Sequence, residues 1–329
     1  MGGQTSIFSG VISKPNLRTR VMGHSEIGFA PARMDRGSDV HVLAGTQGEL
    51  AIVDSEGSPI GSSSTPFPSP TIGGLVMEDK WVGIWLDREL RQARMAALPL
   101  DVQWKDGPSR EDLRLSLASN AVDLGPANSI WQRVLDSEPM KMGKAGGGVV
   151  FATISGTYMI DSDANEVWRG PVPRWPQISN LGQPDNVVSI NEFPGGVAMW
   201  SQAGGISILD PSNGMEIYSR VVEFGDKVSK VIYSDEGGWL VILHGGSIAV
   251  MGEVEGEIST FMTSGPVLDS RFLGGMWHWT GWRHDGVLSG DRIISAQRDD
   301  IGIALVGGNV LTNEGNWTPF MVDQLSISV

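Results

Sequence analysis

Along most of the chain, apolar positions fall in short alternating runs separated by polar, glycine-rich turns, the period-2 pattern of β-strands. Two stretches show the unit most fully: GTYMIDSDANEVWRG, ending at Gly170, and GGISILDPSNGMEIYSR, ending at Arg220. In each, an alternating strand runs into an aspartate (Asp161, Asp210), a polar turn follows, and a second strand carries an aromatic seven or eight residues on (Trp168, Tyr218). Weaker copies centre on Asp54, Asp87 and Asp123, the last with Trp131 eight residues later. Gly252 and Asn313 take the aspartate's place in two more, with Trp317 shortly after Asn313. The turn positions are spaced by 33, 36, 38, 49, 42 and 61 residues. Asp, Asn and Gly recur there because a tight turn between strands needs residues that tolerate a left-handed backbone or bond it locally.

Upstream of most copies lies another strand opened by glycine, as in GGVVFATISG, GGVAMWSQAGG, GGWLVILHGG and IGIALVGG. Strand–turn–strand units of this kind cannot bury their apolar faces alone, so they stack. All intervals but the last suit a four-stranded propeller blade of about 40 residues. The pattern therefore predicts an all-β chain folded as a closed β-propeller of four-stranded antiparallel blades. Seven copies make seven blades the first choice; a further blade around GVLSGDRIIS, inside the 61-residue interval, would make eight. Almost no helix is expected. The charged stretch MEDKWVGIWLDRELRQARMAALPL alternates in its first half and is read as strands.

Segments such as YMIDSDANEVW and ISILDPSNGMEIYSR resemble the repeats of PQQ-like (quinoprotein-type) and WD40-like β-propellers, where a strand, an Asp-containing turn and a Trp-ending strand define each blade. About 290 residues, from Asp39 onward, show the resemblance with varying strength. It implies one closed domain, 37–329, preceded by an N-terminal segment, 1–36, that carries a closing strand. Thr5–Ser13 and Gln324–Val329 both read as strands, so the two ends are expected in one blade or in neighbouring blades. The PQQ-like likeness also invites a quinone-dependent oxidoreductase, which would need cofactor ligands converging in the central channel.

Composition agrees with an all-β fold full of turns: 40% hydrophobic, with 44 Gly, 18 Pro and 12 Trp in 329 residues. The net charge of −14 disfavours nucleic acid, whose phosphates are bound mainly by Lys and Arg. The charge is uneven. Residues 1–36 hold five cations against two acids, +3, which leaves −17 for the remainder. No apolar run approaches the roughly 18 residues that a membrane span requires. The absence of cysteine excludes disulfides, thiolate metal sites and cysteine nucleophiles. MGGQTSIFSG lacks the pattern of a secretory leader, so a cytoplasmic location is expected; it does match the myristoylation pattern at Gly2 and Ser6.

Few residues suggest chemistry. Asp161, Asp163 and Asn165 have the spacing of the first half of a calcium loop, but Glu166 and Val172 stand where such a loop needs glycine and a bidentate acid. A polar turn between the outer two strands of a blade accounts for them better. No two of the five histidines have metal-ligand spacing, and no G-x-S-x-G elbow is present. The glycine-rich run 143–148 lacks both Walker spacing and a following helix. Two segments combine Trp with Arg, residues enriched in binding hot spots. One is the proline-stiffened stretch 169–182, with Arg174 and Trp175; the other is Trp282-Arg283-His284-Asp285, read as a loop beyond core Trp277 and Trp279.

The leading functional reading is a non-catalytic scaffold. It presents Arg174, Trp175, Trp282 and Arg283 to a protein partner within a larger complex, without cofactor or metal. The alternatives are the quinone-dependent oxidoreductase and a propeller that binds a small ligand or carbohydrate in its channel mouth.

Overall fold

A computed structural model describes residues 27–119, 124–180, 182 and 185–325. The chain forms a seven-bladed β-propeller with 6% helix. Consecutive antiparallel strands build each blade outward from the axis, over residues 31–64, 71–134, 139–170, 187–221, 228–262, 267–297 and 302–319. Six blades have four strands; the seventh has three among the described residues. Thr5–Ser13 lies outside them.

Burial falls from the second strand outward and explains the sequence pattern. The second strands Lys80–Asp87, Gly148–Thr153 and Gly196–Ser201 are buried throughout, because blades cover both of their faces. A strand covered on both sides reads as a nearly continuous apolar run. The outermost strands Glu216–Val221 and Arg292–Gln297 contain no buried residue. Seven apolar clusters fill the seven gaps between neighbouring blades. One of them joins Met34, Leu43 and Val53 of blade one to Ala304, Val306, Leu311 and Trp317 of blade seven, so the ring is closed by packing.

The recurring aromatic has a structural cause: it sits on the outermost strand and docks onto the Asp turn of the next blade. Trp131 of blade two donates its indole N–H to Ser162 O at 3.0 Å, and Trp168 of blade three donates to Pro211 O at 2.9 Å. Trp317 of blade seven lies against Gly57 of blade one. The turns accept a flat ring because they carry glycine. At Gly57 and Gly214, both at positive φ, an added Cβ would stand 2.6 Å from Trp317 and 2.5 Å from Trp168 respectively. Asp54 fixes its turn by accepting the N–H groups of Glu56 and Ser58 at 2.9 and 2.8 Å.

Seven blades is the right number, but the turn register read from sequence is wrong in three places, one of them Asn313, which follows the second strand of blade seven. Asp87 sits between the second and third strands of blade two, not between the third and fourth. Asp123 lies outside the described residues, within an insertion that joins Gln92–Pro99 to Trp131–Val134 of that same blade. The segment GVLSGDRIIS is no eighth blade; it supplies the outer hairpin of blade six. Blade two was thus counted twice and blade six missed. The insertion escaped notice because its helix, Arg110–Ser119, is short and polar and buries only Leu113, against the cluster that contains Phe67 and Trp104. A capping box starts this helix: Asp112 accepts the Ser109 N–H at 2.9 Å, and Ser109 Oγ accepts the Asp112 N–H at 3.1 Å.

The C-terminal expectation also changes. Gln324 ends neither strand nor sheet but lies in a short helix, Met321–Leu325, while residues 326–329 fall outside the described set. The Met321 N–H is taken by Asp285 Oδ2 at 2.8 Å, and Phe320 and Val322 pack onto Leu305 and Val310.

Candidate functional site

The inner strands surround a central channel of about 1180 Å³. All seven carry a register break one residue after their start, between Pro31 and Arg33 in blade one and at the matching place in the others. Such bulges increase local twist and re-aim the side chains that follow. The first residue past each break is Arg33, Gly73, Lys141, Ser189, Lys230, Asp269 and Ala304 in blade order. All of these except Ala304 line the channel. Arg36 and Arg271 join them, so five cations face the axis of a chain whose net charge is −14.

Two buried carboxylates neutralise part of this charge. Asp35 accepts Arg33 Nε at 2.9 Å and Nη2 at 3.1 Å, together with the Trp81 indole N–H at 2.9 Å. Asp269 accepts both Arg36 guanidinium nitrogens, one of them at 2.9 Å, Lys230 Nζ at 3.4 Å and the Leu305 N–H at 2.9 Å. Burial by itself would raise the Asp269 pKa, but Arg36, Lys230 and the Leu305 N–H outweigh it and hold the carboxyl at about 2. Among the described residues, Lys141 and Arg271 make no ion pair. Burial lowers the Lys141 pKa, and Arg33 and Lys230 lower it further. Burial and then Arg36 lower that of Arg271. Glu192 and Asp235 also line the channel, toward the ends of the inner strands.

Strand direction alternates within each blade. The hairpins between second and third strands therefore open on the same face as the connections between blades. This puts Arg174 and the Trp282–Arg283 turn on one face, two blades apart. Trp282 is 55% exposed and Arg283 is exposed with φ of 58°, a left-handed backbone uncommon outside glycine. The turn's backbone is pinned: Trp282 N–H donates to Pro266 O at 2.9 Å, and Arg283 O accepts the Arg298 N–H at 3.1 Å.

The remaining sequence candidates need correction. Trp175 is not displayed on its loop; it is 1% exposed and donates its indole N–H to Ile206 O at 3.1 Å. The proline-stiffened connection folds it back over Gly205 of blade four, leaving Arg174 exposed beside it. His284 and Asp285 belong to a strand and are buried, so only the first two residues of that segment form a turn. Trp277 and Trp279 are core, as expected. Asp161 Oδ1 accepts the N–H groups of Asp163 and Asn165, both at 2.9 Å, and Oδ2 accepts Asn165 Nδ2 at 3.0 Å. These bonds, those of Asn165 foremost, lower its pKa and build a turn from the half calcium loop.

Sequence reasoning passed over the channel cations. The only signal for them is a lone basic residue near the start of each affected blade, as in PMKM and VSKV, within an acidic chain.

No protein-family profile matches the chain, and no curated protein sequence does. Solved structures do resemble it. The WD40 propeller domain of Doa1 superposes with a TM-score of 0.58 at 11% identity, covering 90% of this chain and 93% of that one. The Cps50 (Swd1) propeller domain of Myceliophteria thermophila gives 0.63 at 10% identity, over 91% and 98%. BamB from Moraxella catarrhalis gives 0.54 at 13%, over 87% and 84%. Identities this low establish a shared fold: the architecture is that of WD40 and BamB-type propellers.

Proposed function

We propose that the protein is a non-catalytic recognition propeller that binds a protein partner through the face bearing Trp282 and Arg283. The observation that carries this reading is the turn itself. Its backbone is bonded on both sides to the body of the propeller, whereas its two side chains project outward. Trp and Arg dominate interface hot spots, and a preordered display lowers the entropy lost on binding. A left-handed, non-glycine residue held at a rigid turn is also a feature that concentrates at functional sites. Arg174 extends the surface two blades away; Trp175 supports it from beneath.

The test is cross-linking mass spectrometry in the native cell with wild type and with Trp282→Ala/Arg283→Ala. A defined partner recovered with wild type should fall at least about tenfold with the double variant, because a hot-spot truncation removes 2 kcal/mol or more. Unchanged recovery at an unchanged melting temperature would refute the choice of surface.

A further inference from the structure

The channel offers a second site, independent of that face. We propose that the central channel binds a small oxyanion, phosphoryl or carboxylate, between Lys141 and Arg271 with Arg33 and Lys230 beside them. The argument begins with charge. A chain of net charge −14 places five cations on the lining of one channel, and among the described residues only two carboxylates, Asp35 and Asp269, pair with any of them. Cations scattered for solubility would lie on the outer surface, where water solvates them. Here Lys141 and Arg271 are half-buried and, among the described residues, neither forms an ion pair; Arg33 and Lys230 act on Lys141, opposed only by Asp35, which Arg33 already pairs.

Backbone geometry supports the same site. The bulge repeated in every inner strand brings one residue to the channel lining in six of the seven blades, and three of those six positions are Arg33, Lys141 and Lys230. Blade two contributes glycine there, Gly73, which places no side chain in the channel. The space, about 1180 Å³, matches a small-molecule site rather than a packing defect. An oxyanion bridging Lys141 and Arg271 would make charge-assisted hydrogen bonds in a partly desolvated setting, where they are strongest. It would also offset the repulsion each group feels from its neighbouring cations, Arg33 and Lys230 at Lys141 and Arg36 at Arg271. Glu192 and Asp235 repel anions from their part of the lining, so the anion is confined to the cationic part.

Isothermal titration of the full chain with inorganic phosphate and with citrate, at low ionic strength, tests the assignment. One of the two should bind wild type, the tighter one identifying the headgroup as phosphoryl or carboxylate. Lys141→Met and Arg271→Met should each weaken binding at least about tenfold, as loss of one charge-assisted hydrogen bond does. Lys227→Gln, at an exposed position outside the channel lining, should change nothing. A melting experiment separates ligand loss from misfolding. In anion-free buffer the Met variants should melt at or above the wild-type temperature, because a repelling charge has gone, while losing the rise that the anion gives wild type. No binding of either anion at about 10 mM, or equal binding to wild type and both Met variants, overturns the proposal. Binding of a glutamate-rich peptide with neither small anion also overturns it, and assigns the channel to an acidic protein segment instead.

Discussion

Removing the Asp285 carboxylate should destabilise this fold strongly. Asp285 is fully buried in the third strand of blade six and takes Arg298 Nη1 at 2.7 and 2.8 Å, Thr280 Oγ1 at 2.6 Å and the Met321 N–H at 2.8 Å. Arg298 also reaches Thr318 Oγ1, so the network ties blade six to blade seven and to the helix that follows it. Asp285→Ala leaves a guanidinium buried without its counter-charge, a loss of about 3–5 kcal/mol. The orphaned Thr280 hydroxyl and Met321 amide overlap with that figure and are not added to it. At about 2 °C per kcal/mol for a chain of this size, the midpoint should fall by roughly 6–10 °C. Thermal melts followed by tryptophan fluorescence would measure the midpoint, and urea melts the free energy. Asp285→Ala/Arg298→Met should recover at least half of the loss, because the penalty lies in the unpaired charge and not in the missing contact. A fall below about 1 kcal/mol in the single variant would refute the reasoning, as would a double variant no better than the single.

Four further outcomes are expected. Asp269 has its pKa depressed to about 2 from an ordinary 3.8, so its contribution is complete above the unfolded value and is lost as pH falls through about 2; the difference is about 2.5 kcal/mol. Acid titration of wild type should therefore lose that much more stability below pH 4 than Asp269→Asn does. Gly214→Ala should destabilise by about 2–4 kcal/mol, since it combines a left-handed backbone with a clash against Trp168. Ala164, at φ 66° in the equivalent turn of blade three, should gain about 0.5–1 kcal/mol as Gly; denaturant midpoints read both changes. Finally, if residues 1–26 supply the closing strand, deleting them should lower the midpoint by several degrees and promote aggregation through the outer edge of Trp317–Pro319. Light scattering and a thermal scan would show it, and an unchanged profile would count against that role.

Sequence alone determined the class of architecture. Alternating strands, αL-tolerant turn residues and aromatics at a recurrent offset are local consequences of hairpin geometry, and they survive in any register. It also marked Trp277 and Trp279 as core and displayed Trp282 and Arg283 at a turn. Blade assignment was beyond it, because an insertion as polar as Arg110–Ser119 interrupts blade two without disturbing the average spacing. Trp175 was misread because the direction in which a loop side chain folds depends on a contact with Gly205, thirty residues away. The channel was invisible for the same reason at larger scale. Arg33, Lys141, Lys230 and Arg271 come from four different blades. Each alone looks like one solvated charge on a strand; only ring closure and the shared bulge bring them to one axis, where their charges add.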